Sequence, residues 1–183
     1  MNCSISEVKG DLMFANTNVV VLPVSPDGAG NILITRRFMN KLPIMRQKYE
    51  NFCKGNLFSP GKIWIYRTYT RNILLLSVEN QEQESDEKTF CFVLKKIKSI
   101  YKEREISSIS FSLSSFSTIP SERVKELIIK EFTDTDLIIE FYVESELSST
   151  KIISALESLC APIPEETKIR IKEKICFETR WRN

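Results

Sequence analysis

The sequence contains no histidine. Without an imidazole, the chain cannot form a Ser-His-Asp triad, a Cys-His dyad or a zinc site with histidine ligands. Any proton transfer would have to use a carboxyl group, a lysine or an activated cysteine. The five cysteines are widely spaced and form no C-x-x-C pair, so the sequence predicts no metal site and no bound cofactor.

Long apolar runs and an excess of either charge are also missing. No apolar run approaches the roughly 18 residues that a membrane span needs, and residues 1–10 contain polar and charged residues where a signal peptide has its apolar region. The 26 basic and 24 acidic side chains leave a net charge of +2, far from the basic excess of proteins that bind nucleic acid backbones. We therefore expect a cytoplasmic protein that associates with neither membranes nor nucleic acids in general.

The length and composition are those of one globular domain. The chain has 183 residues, 42% hydrophobic and 27% charged, which predicts a single domain over residues 1–183. Residues 19–22, bounded by Pro23, predict a strand that is buried on both faces. A loop rich in turn-forming residues follows, and then a helix whose inward side chains would be Ile32, Leu33, Phe38 and Leu42.

The rest of the chain alternates between helical and strand patterns. A second helix is predicted over residues 44–54, and residues 63–66 and 72–76 favour an antiparallel pair of strands. The five acidic residues within 79–87 are typical of a solvated loop, although they could also bind a cation or a basic partner. Helix, strand, helix and strand then follow up to residue 143. This order predicts an α/β fold with a mainly parallel sheet and helices on both faces.

Several motifs along residues 5–143 occur in a familiar order. They are Val8-Lys9-Gly10-Asp11-Leu12, a valine-rich strand, a loop near Gly28, a helix ending at Leu42-Pro43, and Pro60-Gly61-Lys62 before a strand. This order resembles that of macro domains, in particular the bacterial DNA ADP-ribosylglycohydrolase antitoxins. The resemblance implies a three-layer α/β/α sandwich with a macro-like core, extended by a C-terminal helix and strand in residues 144–183. It also implies ADP-ribose or a related adenine nucleotide as ligand.

The resemblance implies an adenine contact at the start of this core. Asp11 matches the aspartate that holds the adenine amino group, and Leu12 matches the residue beside it. A carboxylate can accept a hydrogen bond from an exocyclic amine. The alternative is that Asp11 only forms a turn or caps the backbone.

The first phosphate loop of the resembled family is matched by residues 25–31. Ser25 stands where the family has a ribose-binding asparagine, and Gly28, Gly30 and Asn31 match a loop that has more glycines in the family. Arg36 and Arg37 lie on the helix behind this loop and point about 100° apart, so at most one of them faces a site. Both arginines could equally face solvent.

The second phosphate loop of the family is glycine-rich, whereas its counterpart here is Ser114-Ser115-Phe116-Ser117-Thr118, without a glycine. Hydroxyl and amide groups before a helix can still attract an anion, although their side chains occupy space that a diphosphate needs. The alternative is that these serines cap the following helix.

The catalytic position of the resembled hydrolases is changed. A lysine follows the central strand in those enzymes, and the equivalent stretch here is Val78-Glu79-Asn80-Gln81, which implies that hydrolysis of ADP-ribosyl linkages is lost. The first of three open functions is a non-catalytic module that binds an ADP-ribose-like nucleotide, a signal molecule or an ADP-ribosylated macromolecule. The second is a scaffold that binds a protein partner and whose cleft is filled by Ile32, Leu33 and Phe116. A hydrolase with altered residues is the least expected.

Overall fold

The computed structural model describes residues 3–28, 32–79, 86–116 and 118–143. These ranges contain short 3₁₀ helices at Leu12–Phe14 and Leu113–Ser115. The longer elements are β1 (Ser4–Lys9), β2 (Val19–Val24), α1 (Leu33–Lys41), α2 (Pro43–Lys54), β3 (Ile63–Arg67), β4 (Asn72–Ser77), α3 (Glu87–Ile100), β5 (Ser108–Ser112), α4 (Ser121–Phe132) and β6 (Ile138–Val143). The helix and strand predicted within residues 144–183 lie outside the described residues.

The described strands form one six-stranded sheet in the order β1-β6-β5-β2-β4-β3. Every neighbouring pair is parallel except β3 and β4, so the predicted mainly parallel sheet and its antiparallel pair are confirmed. Strand β2 pairs with β4 along its whole length. On its other side, only Val19 and Val20 pair with Ile109 and Ser110 of β5. The two central strands therefore share no ladder toward their carboxyl ends.

Two hydrophobic cores lie on opposite faces of the sheet. Along β2, Val19 and Val21 belong to the core beneath α3 and α4, and Val20, Leu22 and Val24 belong to the core beneath α1 and α2. Such alternation is what a strand covered on both faces requires. The predicted three-layer α/β/α architecture and the burial of this strand are confirmed.

The inward face of α1 differs from the prediction. The prediction was wrong for Leu33, which is 41% exposed, whereas Phe38 is buried and Ile32 and Leu42 are partly buried against the core beneath α1 and α2. The other buried positions of this helix are Ile34, Thr35 and Met39. Thr35 is buried, and its hydroxyl donates a hydrogen bond to the carbonyl of Pro23 at 2.8 Å. Strand β2 itself continues to Val24, one residue past the proline that was expected to end it.

Strand β1 was not predicted, and the expectation of a solvated acidic loop was wrong in part. The residues of β1 are mostly polar and exposed at the sheet edge, so they lack the apolar alternation that indicates a strand. In the acidic stretch, Glu79 is buried, whereas Asp86 caps α3 by accepting from the amide of Thr89 at 2.9 Å. Glu82 and Glu84 lie outside the described residues. Within the ranges that the structure describes, no helix is long and apolar enough to cross a bilayer.

Candidate functional site

The carboxyl ends of the parallel strands meet at one edge of the sheet, here called the carboxyl edge. Asp11 follows β1 there, Ser25 follows β2, Glu79 follows β4 and Ser114 follows β5. From β2 the chain moves to β4 on one side and then crosses to β5 on the other, so the strand order reverses between β2 and β5. Ligands of open α/β sheets bind in the crevice at such a reversal. The β2–β5 ladder ends early, at Val20 and Ser110, so no ladder hydrogen bonds join the two strands where the loops after them begin.

The loop after β2 is held by buried hydrogen bonds. Ser25 is fully buried, and its hydroxyl donates to Oδ1 of Asp27 at 2.6 Å. Its carbonyl accepts a hydrogen bond from the hydroxyl of Tyr49 on α2. The side chain and the main-chain carbonyl of Ser25 are therefore both engaged within the protein.

Gly28 closes the same loop in a conformation that requires glycine. Its φ is +79°, and its amide donates to the carbonyl of Ser25 at 3.4 Å. A Cβ at this position would lie 3.3 Å from Cβ of Cys53 on α2, which is tighter than ordinary packing. Gly30 and Asn31, the other predicted residues of this loop, lie outside the described residues.

The side chains of the loop after β5 differ in burial. Ser114 is exposed, with its hydroxyl 3.3 Å from that of Ser112. Phe116 is buried, and its ring centroid lies 4.6 Å from that of Phe90 on α3. Ser115 is also buried, and its hydroxyl has no hydrogen-bond partner among the described residues. The predicted Ser117 lies outside the described residues.

The alternative role of these serines, capping of α4, is not seen in the described part of the loop. The N-cap of α4 is Pro120, and no side-chain hydrogen bond caps this helix there. Ser121 instead donates weakly from its hydroxyl to the carbonyl of Leu113 at 3.4 Å. Of the two described serines within residues 114–118, Ser114 is the exposed one and Ser115 is buried.

Glu79 is the residue that the sequence prediction missed. Its side chain is only 1% exposed, and Oε2 has no hydrogen-bond partner among the described residues. Burial, together with the charge of nearby Asp27, raises the pKa of Glu79 to about 7. The buried hydroxyl of Ser77 also lacks a described partner. Because side chains of a strand alternate between its two faces, Glu79 falls on the same face as the buried Leu75 and Ser77, and this was the signal that could have indicated an inward Glu79.

Asp11 has the opposite environment. Its Oδ1 accepts from the amide of Met13 at 2.9 Å, which caps the 3₁₀ helix Leu12–Phe14, and its two oxygens accept from the guanidinium of Arg37 on α1. Burial raises the pKa of Asp11, but the hydrogen bonds from Arg37 and Met13 outweigh it and hold the pKa below its usual range. Arg37 thus contacts a predicted site residue. Leu12 is buried in the core beneath α1 and α2.

Charged side chains of α1 and α2 also border the first loop. A pocket of about 190 Å³ is lined by Gly28, Arg36, Met39, Asn40, Arg46, Tyr49 and Glu50. Arg46 pairs with Glu50 at 2.7 Å within this pocket. Among the residues that the structure describes, no group of three or more acidic or cysteine side chains could hold a metal ion.

The sequence matches no protein-family model and no curated protein sequence. Its structure, however, is similar to those of solved macrodomains. The macrodomain of Mycobacterium tuberculosis DarG superposes with a TM-score of 0.72 at 21% identity, over 78% of this chain and 99% of that chain. The macrodomain of Thermus aquaticus DarG gives 0.67 at 19% identity, over 77% of this chain and 98% of that chain.

A third structure, Thermosipho africanus DarTG in complex with ADP-ribose, superposes with a TM-score of 0.70 at 17% identity. The match covers 81% of this chain and 44% of that longer chain. Identities this low establish the fold alone. The described part of this chain has the macro-domain fold, which the motif order of residues 5–143 implied.

Proposed function

We propose that this chain binds an ADP-ribose-like nucleotide at the carboxyl edge, in the crevice between β2 and β5, without hydrolysing it. The observation that carries the proposal is the reversal of strand order between these strands, where their ladder stops at Val20 and Ser110. The DarTG neighbour with this fold was solved with ADP-ribose, which supports that class of ligand.

The proposed contacts divide between the two ends of the ligand. The carboxylate of Asp11 already accepts three hydrogen bonds, and a carboxylate has about four acceptor sites, which leaves capacity for the amino group of adenine. Main-chain groups of the loops after β2 and β5 would hold the phosphates and ribose. The full proposed set is Asp11, Leu12, Ser25, Gly28, Gly30, Asn31, Ser114, Ser115, Phe116 and Ser117.

The absence of hydrolysis is proposed from the residue after β4. The resemblance assigns a catalytic lysine to this stretch, and Glu79 here is a buried carboxyl group that cannot supply the same cationic amine. We expect no release of ADP-ribose when the protein is incubated with ADP-ribosylated DNA or ADP-ribosylated protein. Measurable release above a buffer control would contradict this part of the proposal.

Calorimetric titration with ADP-ribose and other adenine nucleotides tests binding, and one exposed serine tests its location. Ser114→Glu places a negative charge beside the crevice and should weaken binding of ADP-ribose about tenfold or more, because like charges repel. Ser99→Glu adds the same charge on the exposed face of α3 and should leave the affinity unchanged. Failure of every adenine nucleotide to bind the wild-type protein would overturn the proposal.

A second candidate is a protein-interaction scaffold with a filled cleft. It is favoured by the burial of Phe116 against Phe90, because this ring occupies space beside the end of β5. The exposure of Leu33 speaks against the filling that the sequence suggested for that residue. This candidate requires that no adenine nucleotide binds and that one protein partner co-purifies in fixed stoichiometry from the native cells. A protein that is isolated alone and monomeric would count against it.

A further inference from the structure

The pocket between α1 and α2 is lined by two matching stretches of helix. Each stretch has an arginine, a buried residue three positions later and a polar residue four positions later: Arg36, Met39 and Asn40 on α1, and Arg46, Tyr49 and Glu50 on α2. Helical residues three and four positions apart share one face. None of the described lining residues comes from β5 or from the loop after it, so this pocket is distinct from the crevice between β2 and β5.

The buried and the exposed residues of this pocket have different roles. Met39 and Tyr49 belong to the core beneath α1 and α2, and the hydroxyl of Tyr49 is already used by the carbonyl of Ser25. Arg36, Asn40 and Arg46 are exposed. A ligand in the pocket would therefore rest on buried side chains and receive its hydrogen bonds from the exposed ones.

Glu50 holds the guanidinium group of Arg46 through only one of its nitrogens. Nε of Arg46 donates to Oε1 of Glu50 at 2.7 Å, one turn further along α2. The N–H groups on Nη1 and Nη2 of Arg46 have no hydrogen-bond partner among the residues that the structure describes. An arginine fixed in this way presents two terminal amino groups as a fork, which is the geometry that binds phosphate oxygens.

The charge and the size of the pocket favour a small anion. Arg36 and Arg46 contribute two positive charges against the single negative charge of Glu50, and the amide of Asn40 adds neutral N–H donors. The volume of about 190 Å³ is below the roughly 300–1,000 Å³ of pockets that enclose larger ligands. A single phosphate group fits these conditions better than a whole nucleotide does.

We propose that the pocket between α1 and α2 is a binding site for one phosphate group, separate from the nucleotide crevice. The fork of Arg46 and the side chain of Arg36 approach the phosphate from opposite helices, and Asn40 donates to a further oxygen. The phosphate is either the free ion or the head of a small phosphomonoester. This inference does not depend on the proposed function, because it requires no nucleotide at the crevice.

Titration with inorganic phosphate at constant ionic strength tests the site, followed through the backbone amide signals of α1, α2 and Gly28. The signals should shift and saturate. Arg46→Gln should weaken phosphate binding about tenfold or more, because hydrogen bonds to a charged group are lost. Arg104→Gln is the control and should leave the affinity unchanged, since Arg104 is also exposed and paired with a glutamate, Glu103, in the turn after α3.

A second probe identifies the source of the phosphate. Glycerol 3-phosphate carries the same group on a small organic molecule, and tighter binding than that of inorganic phosphate would assign the pocket to phosphomonoesters. Weaker binding would assign it to the free ion.

The outcomes separate this inference from the proposed function. Phosphate shifts that persist when the protein is saturated with ADP-ribose support a separate site, and their loss under that condition overturns it. If no adenine nucleotide binds, the proposed function fails and the phosphate titration still decides the inference. The absence of saturable shifts, or equal affinities in Arg46→Gln and Arg104→Gln, overturns the phosphate site. Circular dichroism checks that the variants are folded.

Discussion

Two carboxyl groups at the carboxyl edge have opposite environments. Asp11 is partly exposed, is paired with Arg37 and has a pKa held below its usual range. Glu79 is buried beside Asp27, has an oxygen without a described partner and has a pKa raised to about 7. The ionisation of a carboxyl group at this edge is therefore set by its burial and its partners. A ligand with an amino group at one end and phosphates at the other suits this contrast, because Asp11 stays negative whereas Glu79 can become neutral and then does not repel a phosphate.

The largest expected effect is a pH dependence of stability caused by Glu79. Because its pKa is raised from 4.5 to about 7, the folded state keeps a proton that the unfolded chain releases as the pH rises through this window. The free energy of unfolding should therefore fall by about 3 kcal/mol between pH 4.5 and 7, at about 1.4 kcal/mol per pH unit. Urea unfolding at pH 5 and pH 8 measures this change.

Glu79→Gln is the matched variant, because its amide does not titrate. Its stability should be nearly constant between pH 5 and pH 7, because the chain has no histidine and no other type of side chain has its usual pKa in that range. A wild-type protein whose stability changes with pH no more than that of Glu79→Gln would show that Glu79 is not the buried titrating group described above.

The features of the molecule that the sequence predicts are those with strong local patterns. The valine run of β2, the helical spacing of α3 and α4, and the β3–β4 pair were all predicted, because each is either a short continuous apolar run or a set of apolar residues at helical spacing. The resemblance also led to Asp11. Strand β1 was missed because an edge strand with polar, exposed residues has no such period.

The features that the sequence does not predict depend on contacts between residues that are distant in the chain. Glu79 was assigned to a solvated loop because it begins a run of five acidic residues, and only the packed structure reveals that its side chain is buried. The pairing of Asp11 with Arg37 joins residues from different elements, and helical geometry alone left either arginine of the pair as a candidate. Tertiary packing decides both cases.

The second largest effect on stability is expected at Gly28, in the loop after β2, and is compared with that at Gly10, next to Asp11. Gly28→Ala should lower the free energy of unfolding by about 1–2 kcal/mol, because its φ of +79° disfavours a side chain and the new Cβ would crowd Cys53. Gly10→Ala is the control, since its added Cβ meets the nearest atom, in Tyr142, only at 3.9 Å. Equal losses in the two variants, measured by chemical unfolding, would argue against the strained turn after β2.

The smallest expected effect on stability is that of Asp11→Asn. An asparagine still caps the 3₁₀ helix, and an exposed ion pair such as that with Arg37 contributes less than about 1 kcal/mol. Since the pKa of Asp11 is lowered from 3.8, its contribution is present above that pH and disappears as the pH falls through the lowered value. Unfolding at pH 7 and pH 3 should show this difference shrinking, opposite in direction to Glu79. A loss of several kcal/mol would mean that the pair is far less exposed to solvent.

The most direct test of the central claim is an NMR titration of the labelled protein with ADP-ribose, followed through its backbone amide signals. One nucleotide bound across the carboxyl edge should shift the amides around Asp11 and those of the loops after β2 and β5, all with the same midpoint. Shifts confined to one of these regions, different midpoints, or no shifts at all would contradict a single nucleotide site at this edge.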